Sequence, residues 1–202
     1  MKTLFGRTQV WVIFIGCAFS VAILFYFIFK SPIQSNPVPF VENAIVPPEQ
    51  EPIIFDLPTR LKIPAIDVDA PIEYVGLTPD GAMGIPKGPA DVGWFELGPR
   101  PGEDGSAVMA GHYGTWKSGQ GSVFDNLHKL LPGDKLYIED DKGTTIIFVV
   151  REIRRYDPKA DAADVFTASD EKPHLNLITC EGAWNKVSKS FPQRLVVFAD
   201  KE

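Results

Sequence analysis

The chain has 202 residues and a formal net charge of −6, with 45% hydrophobic residues, which suits one globular domain with accessories or two small ones. Residues 1–30 hold three bases (Lys2, Arg7, Lys30) and no acid, so taking those three charges from −6 leaves −9 on residues 31–202. A domain that acidic, with no basic stripe, is a poor nucleic-acid partner, because such binding rests on phosphate neutralisation.

Val10 to Phe29 is an uncharged run, VWVIFIGCAFSVAILFYFIF. As a helix it spans about 30 Å, the thickness of a bilayer's hydrocarbon core. Lys2 and Arg7 precede it, so the positive-inside rule puts residues 1–9 in the cytoplasm as a short tail. Residues 10–30 are therefore expected to be an uncleaved signal anchor of a single-pass plasma-membrane protein. A cleaved signal peptide is the competing reading. It has a shorter apolar region, of about 7–15 residues, and a small-x-small cleavage site, and "FKSPIQSNP" offers no convincing one. Residues 31–58 are proline-rich, a composition that favours extended chain and predicts a semi-rigid extracellular spacer.

From residue 59 to 202 the pattern becomes that of a folded, all-β domain. Strands are expected in RLKIPAI, DAPIEYVGL, SAVMAGH, DKLYIED, TTIIFVVREIRRY, LNLITC and RLVVFAD, separated by TPDG, GPRPGEDG, LPGD and DDKG turns. VFDNLHKLL, apolar at 123, 124, 127, 130 and 131, is the best helical stretch. Seven or so short strands fit either a sandwich or a closed barrel.

Two cysteines occur, Cys17 in the apolar run and Cys180 in the β domain. A disulfide needs Cα atoms within about 7 Å, so these two cannot pair within one molecule. Cys180 is then an unpaired thiol in an oxidising compartment. It is a small buried hydrophobe, a partner in an intermolecular bond, or a nucleophile. By strand alternation Leu175, Leu177 and Thr179 share the core face, and Asn176, Ile178 and Cys180 share the other. That points Cys180 away from the core, at a strand end.

A thiol nucleophile needs a proton partner and a group to hold an oxyanion. His174 is six residues upstream on the same strand, about 20 Å away. His128 faces away from the apolar positions and reads as a solvated side chain. His112 ends its strand between Gly111 and Gly114, and either caps that strand or serves a site. Arg194 starts the last strand as Cys180 ends the one before it; if those two strands are antiparallel neighbours a fixed positive charge stands beside the sulfur, and otherwise Arg194 is a surface arginine at a strand edge. Arg151, Arg154 and Arg155 lack that geometric argument.

LITC (177–180) resembles the TLxTC strand of sortases, the membrane-anchored cysteine transpeptidases of mainly Gram-positive bacteria. AGHYG resembles their histidine strand and QRLVVFA their arginine strand. The order His, Cys, Arg and the N-terminal anchor agree, and the resemblance runs over nearly all of 59–202, nearest to the compact class E and F kind. Asn176 departs from the signature, which has Thr there. The resemblance implies an eight-stranded β-barrel with Cys180, His112 and Arg194 as catalytic residues and no metal or organic cofactor. Thr179, Trp184, Gly111 and Tyr113 are groove candidates. It implies cleavage of an LPxTG-like signal on secreted proteins after its threonine, through a thioester, and transfer to an amine of a cell-wall precursor or a pilin.

Three alternatives compete with that reading. An L,D-transpeptidase places a His two residues before its Cys, where this chain has Ile178. Hydrolysis of the same thioester would make a protease. A non-catalytic barrel would bind peptide or glycan. Asp157, Asp161 and Asp164 do not fit the EF-hand spacing and read as a solvated loop.

Overall fold

The computed structural model describes residues 56–116 and 119–202. The expected tail and anchor, Cys17 and nearly all of the spacer lie outside the described residues. Among the described residues no helix is long and apolar enough to cross a membrane.

Eight strands close into one barrel, which settles the choice between sandwich and barrel. They are β1 (Pro58–Ile63), β2 (Val68–Val75), β3 (Val92–Phe95), β4 (Gly105–Gly111), β5 (Lys135–Asp140), β6 (Thr145–Tyr156), β7 (Pro173–Glu181) and β8 (Gln193–Lys201). Around the barrel the order is β1-β2-β3-β4-β7-β8-β6-β5, closed by β5 on β1. Strand β3 is the one that sequence patterning passes over. It has four residues, three of them buried, and so shows no alternation. The first expected strand stops at Ile63 because Pro64 opens a 3-10 turn, Pro64–Ile66, that ends on Asp67 at a left-handed φ of 55°.

Alternation sets the core. Leu175 and Leu177 of β7, Leu195, Val197 and Ala199 of β8, and Ala107 and Met109 of β4 all point inward and are buried. A buried leucine contributes about 1.5–3 kcal/mol. Phe124, Leu127 and Leu130 also belong to this core. They come from the stretch expected to be helical, but it forms turns and a single 3-10 turn, Leu127–Lys129. The Asp125 carboxylate there accepts the backbone N–H of Gly114 at 2.6 Å and of Ser122 at 2.9 Å. It is engaged in tying the loop after His112 rather than facing solvent from a regular helix. Leu131, expected on the apolar face, is exposed.

A second, smaller cluster lies on the outer face of β4, β7 and β8. It joins Val108, Val196 and Phe198 to Val165, which comes from the one-turn helix α1 (Ala163–Phe166). The middle of these strands is thus covered on both sides. That is why AVMA and LVVFA read as nearly continuous apolar runs.

Candidate active site

The site is built at the end of the barrel where β4 and β7 finish and β8 begins. Strands β7 and β8 are antiparallel, with Cys180 directly opposite Arg194. Strands β4 and β7 are parallel, and their last paired residues are Ala110 and Ile178. Continuing that register by two residues brings His112 beside Cys180. The three sequence-predicted catalytic residues therefore meet on adjacent strand ends, all on outer-face positions.

A side-chain peg takes over where the β4–β7 ladder stops. Thr179 Oγ1 donates to the carbonyl of Gly111 at 2.8 Å. These are the residues just before Cys180 and just before His112, so this one bond holds both strand ends together. It also involves two of the groove candidates. Thr179 is 3% exposed and belongs to the inner face. Gly111 has Phe124 and Val123 against the position a Cβ would take. Both residues lie beneath the site, where they position it.

The Cys180 thiol is half-buried and free. Burial pushes its pKa up from the ordinary value, and the nearby Arg194 charge acts against that. Arg194 is available for this role. Among the described residues every other arginine has a carboxylate partner: Arg60 with Asp69, Arg100 with Glu103, Arg151 with Asp200, Arg154 with Glu152 and Asp164, and Arg155 with Glu181. Among the described residues the Arg194 side chain donates to the Gln193 carbonyl alone, at 3.1 Å.

The His112 ring is held on two sides. Its Nε2 lies 2.8 Å from the carbonyl oxygen of Pro86. A carbonyl only accepts, so Nε2 carries the hydrogen and Nδ1 is left to exchange a proton. The Trp116 ring leans on the imidazole, with centroids 4.7 Å apart. Pro86 does not stand out in the sequence, and both contacts depend on loops meeting in space.

An apolar groove of about 330 Å³ runs from Arg194 over Ile178 and Ala110. Its walls include Met83 and Ile85 on one side and Val165 and Phe166 of α1 on the other. Sequence reasoning missed these wall residues. Ile85 and Phe166 are large apolar side chains left exposed in the fold, a signal that only the structure provides. Tyr113 and Trp184 lie elsewhere: both rings pack edge-on against Phe191, at 5.5 and 5.0 Å between centroids. That cluster bridges the loops after β4 and β7, and half of Trp184 stays exposed (51%). A larger cleft of about 440 Å³ lies at the other end of the outer face, around His174 and Arg151. It contains none of the three meeting residues, so the smaller groove is the candidate for substrate.

The other titratable candidates are engaged in structure. His174 is buried between the carboxylates of Asp170 and Asp200, each at 2.7 Å, and its hydrogen bond holds the Asp170 carboxyl below the usual range. His128 is exposed. Asp157 and Asp161 accept nearby backbone N–H groups, and Asp164 accepts from Arg154 and Tyr156. Among the described residues no cluster suited to a metal ion occurs.

Comparison with known proteins agrees with this geometry. A family model, the sortase domain, matches residues 61–202. Among solved structures, sortase C from Clostridium perfringens SM101 is 26% identical at a TM-score of 0.52, covering 73% of this chain and 70% of that one. The complex of Streptococcus agalactiae sortase C1 and MTSET is 27% identical at 0.55, covering 72% and 69%. Sortase A from Corynebacterium diphtheriae, 24% identical at 0.55 and covering 74% and 62%, shares the fold. A comparison with curated sequences finds no match. The family match spans well over half of the chain and takes in all three residues that meet at the barrel end, so the chain belongs to the sortase family.

Proposed function

We propose that the protein is a cysteine transpeptidase that cleaves an LPxTG-like signal after its threonine and transfers the secreted protein to an amine of the cell wall or of a pilin. The observation that carries this reading is the strand register. It sets Cys180 opposite Arg194, which lines an apolar groove, and, extended two residues past Ala110 and Ile178, brings His112 alongside. That groove suits the apolar residues preceding the scissile bond.

Burial disfavours the thiolate, so ionisation is coupled to the partners. The Cys180 proton passes to His112 Nδ1, and Sγ attacks the threonine carbonyl. Arg194 holds the oxyanion. On collapse the C–N bond breaks and the leaving amine takes the proton from His112, leaving a thioester. An acceptor amine then attacks, its proton returns through His112, and Sγ leaves. This chemistry asks for no cofactor. A single-pass anchor with the barrel outside the plasma membrane, and a compact class E or F type of enzyme, complete the reading.

The test is to incubate the purified full chain with LPxTG-like peptides, with and without a glycine or lysine amine, and follow protein and peptides by mass spectrometry. A thioester on Cys180 that passes to the amine, and is lost in Cys180→Ala and His112→Ala, is expected. Cleavage with no amine product would turn the reading to a protease. A folded protein that forms no adduct with any peptide would overturn it.

A further inference from the structure

Asn176 is the residue at which the chain departs from the signature strand. It lies on the outer face of β7, four residues before Cys180, and is 1% exposed. Its Nδ2 donates to the Val165 carbonyl of α1 at 2.7 Å. Its Oδ1 is buried and has no hydrogen-bond partner among the described residues. Turning the amide over would set oxygen against oxygen, so the orientation is fixed by the carbonyl it serves. A buried amide with an unpaired acceptor is destabilising, and a small apolar residue would remove that burden. A local loss of this kind is expected where position serves function.

What the amide holds is a wall of the groove. Helix α1 is a single turn, too short to be stable alone. Val165 and Phe166 line the groove, while Ile178, two residues beyond Asn176 on the same face, forms its floor. The other side-chain ties from α1 to the barrel run through Asp164 to Arg154 and Tyr156, and Asp164 and Arg154 are exposed. Asn176 therefore ties the wall to the strand that carries the nucleophile. Along the outer face of β7, residues 176, 178 and 180 supply in turn the wall tie, the floor and the thiol.

We propose that Asn176 is a positioning residue that sets the selectivity of the groove: by holding the Val165 carbonyl it fixes the distance from wall to floor, and so which apolar side chain of a peptide signal is accepted. The proposal rests on the reading of the protein as a transpeptidase acting on such a signal. It acts through α1, at a distance from the reacting atoms, so its mark is on KM and on choice of substrate while kcat stays the same.

The experiment compares the full chain with Asn176→Ala, which removes both the tie and the unpaired oxygen, and Asn176→Asp, which keeps the shape and loses the donor. Peptides differing only in the apolar signal residue are assayed, and amide hydrogen exchange is read over residues 162–168. Both variants are expected to raise KM for the preferred peptide about five- to tenfold, the worth of one lost hydrogen bond. They should also flatten the preference among apolar residues, leave kcat unchanged and speed exchange at Val165 and Thr167, whose N–H groups bond to Ala162 and Ala163. Asn176→Ala is expected to unfold no earlier than the parent. Unchanged selectivity in folded variants, with or without faster exchange, would overturn the proposal. A parent chain that turns over no peptide would defeat the underlying functional reading, an outcome distinct from equal selectivity in parent and variants.

Discussion

Gly111→Ala puts the link between packing and chemistry to a direct test. A Cβ at residue 111 would lie 2.6 Å from Phe124 Cε2 and 2.8 Å from Val123 Cγ1. Carbon atoms in contact sit about 3.5–4.0 Å apart, so roughly 1 Å must be found. Phe124 is fully buried in the main core and has little room to yield. Overpacking of this kind costs about 1–3 kcal/mol. The alternative is for the end of β4 to move outward, which strains the Thr179 bond to the Gly111 carbonyl and shifts His112. A displacement of about 1 Å at a catalytic group costs on the order of a hundredfold in turnover. The expected result is a urea midpoint lowered by about 1 M, together with a turnover loss larger than the stability loss explains. Gly76→Ala is the control, since its Cβ would meet only Glu96 Oε1 at 3.6 Å. Adding Phe124→Leu to Gly111→Ala should restore part of both losses. A Gly111→Ala protein with parental midpoint and turnover would refute the claim that Phe124 sets the position of His112.

Two further outcomes follow from the same geometry. Thr179→Val keeps the shape but removes the hydrogen bond to the Gly111 carbonyl, which is expected to cost about 0.5–1.5 kcal/mol in urea unfolding and to lower kcat, because both strand ends lose their peg. Arg194→Gln removes the charge that opposes burial at the thiol. The Cys180 pKa, already above the ordinary value, then rises further, so the pH profile of iodoacetamide labelling should move to higher pH and labelling at neutral pH should slow. A shift to lower pH, or none, would show that Arg194 does not act on the sulfur.

Much of this was legible in the chain because each strand has one apolar face. The alternation of 175, 177 and 179 against 176, 178 and 180 placed Cys180 outward, and the order of the last two strands placed Arg194 beside it. What was not legible depended on loops. The Pro86 carbonyl reaches His112 across 26 positions of sequence. Helix α1 owes its place to burial of Val165 and to the Asn176 tie, neither of which a four-residue segment can announce. The apolar period of VFDNLHKLL read as helix, yet turns satisfy the same burial of Phe124, Leu127 and Leu130. Strand β3 is too short and too evenly buried to show a period.

The position of the arginine illustrates how the core serves the chemistry. Arg194 has no carboxylate partner among the described residues, and its one bond is to its neighbour's carbonyl. Nothing in its own contacts keeps it beside Cys180. Strand register does that work. A slip of one residue between β8 and β7 would set Leu195 opposite Cys180 and turn Arg194 toward the interior. The same slip would take Leu195, Val197 and Ala199 out of the main core and drive the larger Phe198 into it from the outer cluster. Repacking both faces with side chains of the wrong size, together with the cost of burying a charge, sets the slipped register above the native one. The positive charge therefore stands by the thiol because residues on the opposite face of the same strand leave it no other place. Substitutions at those inward positions are core mutations by location, but each of them also loosens the constraint that places the charge beside the sulfur.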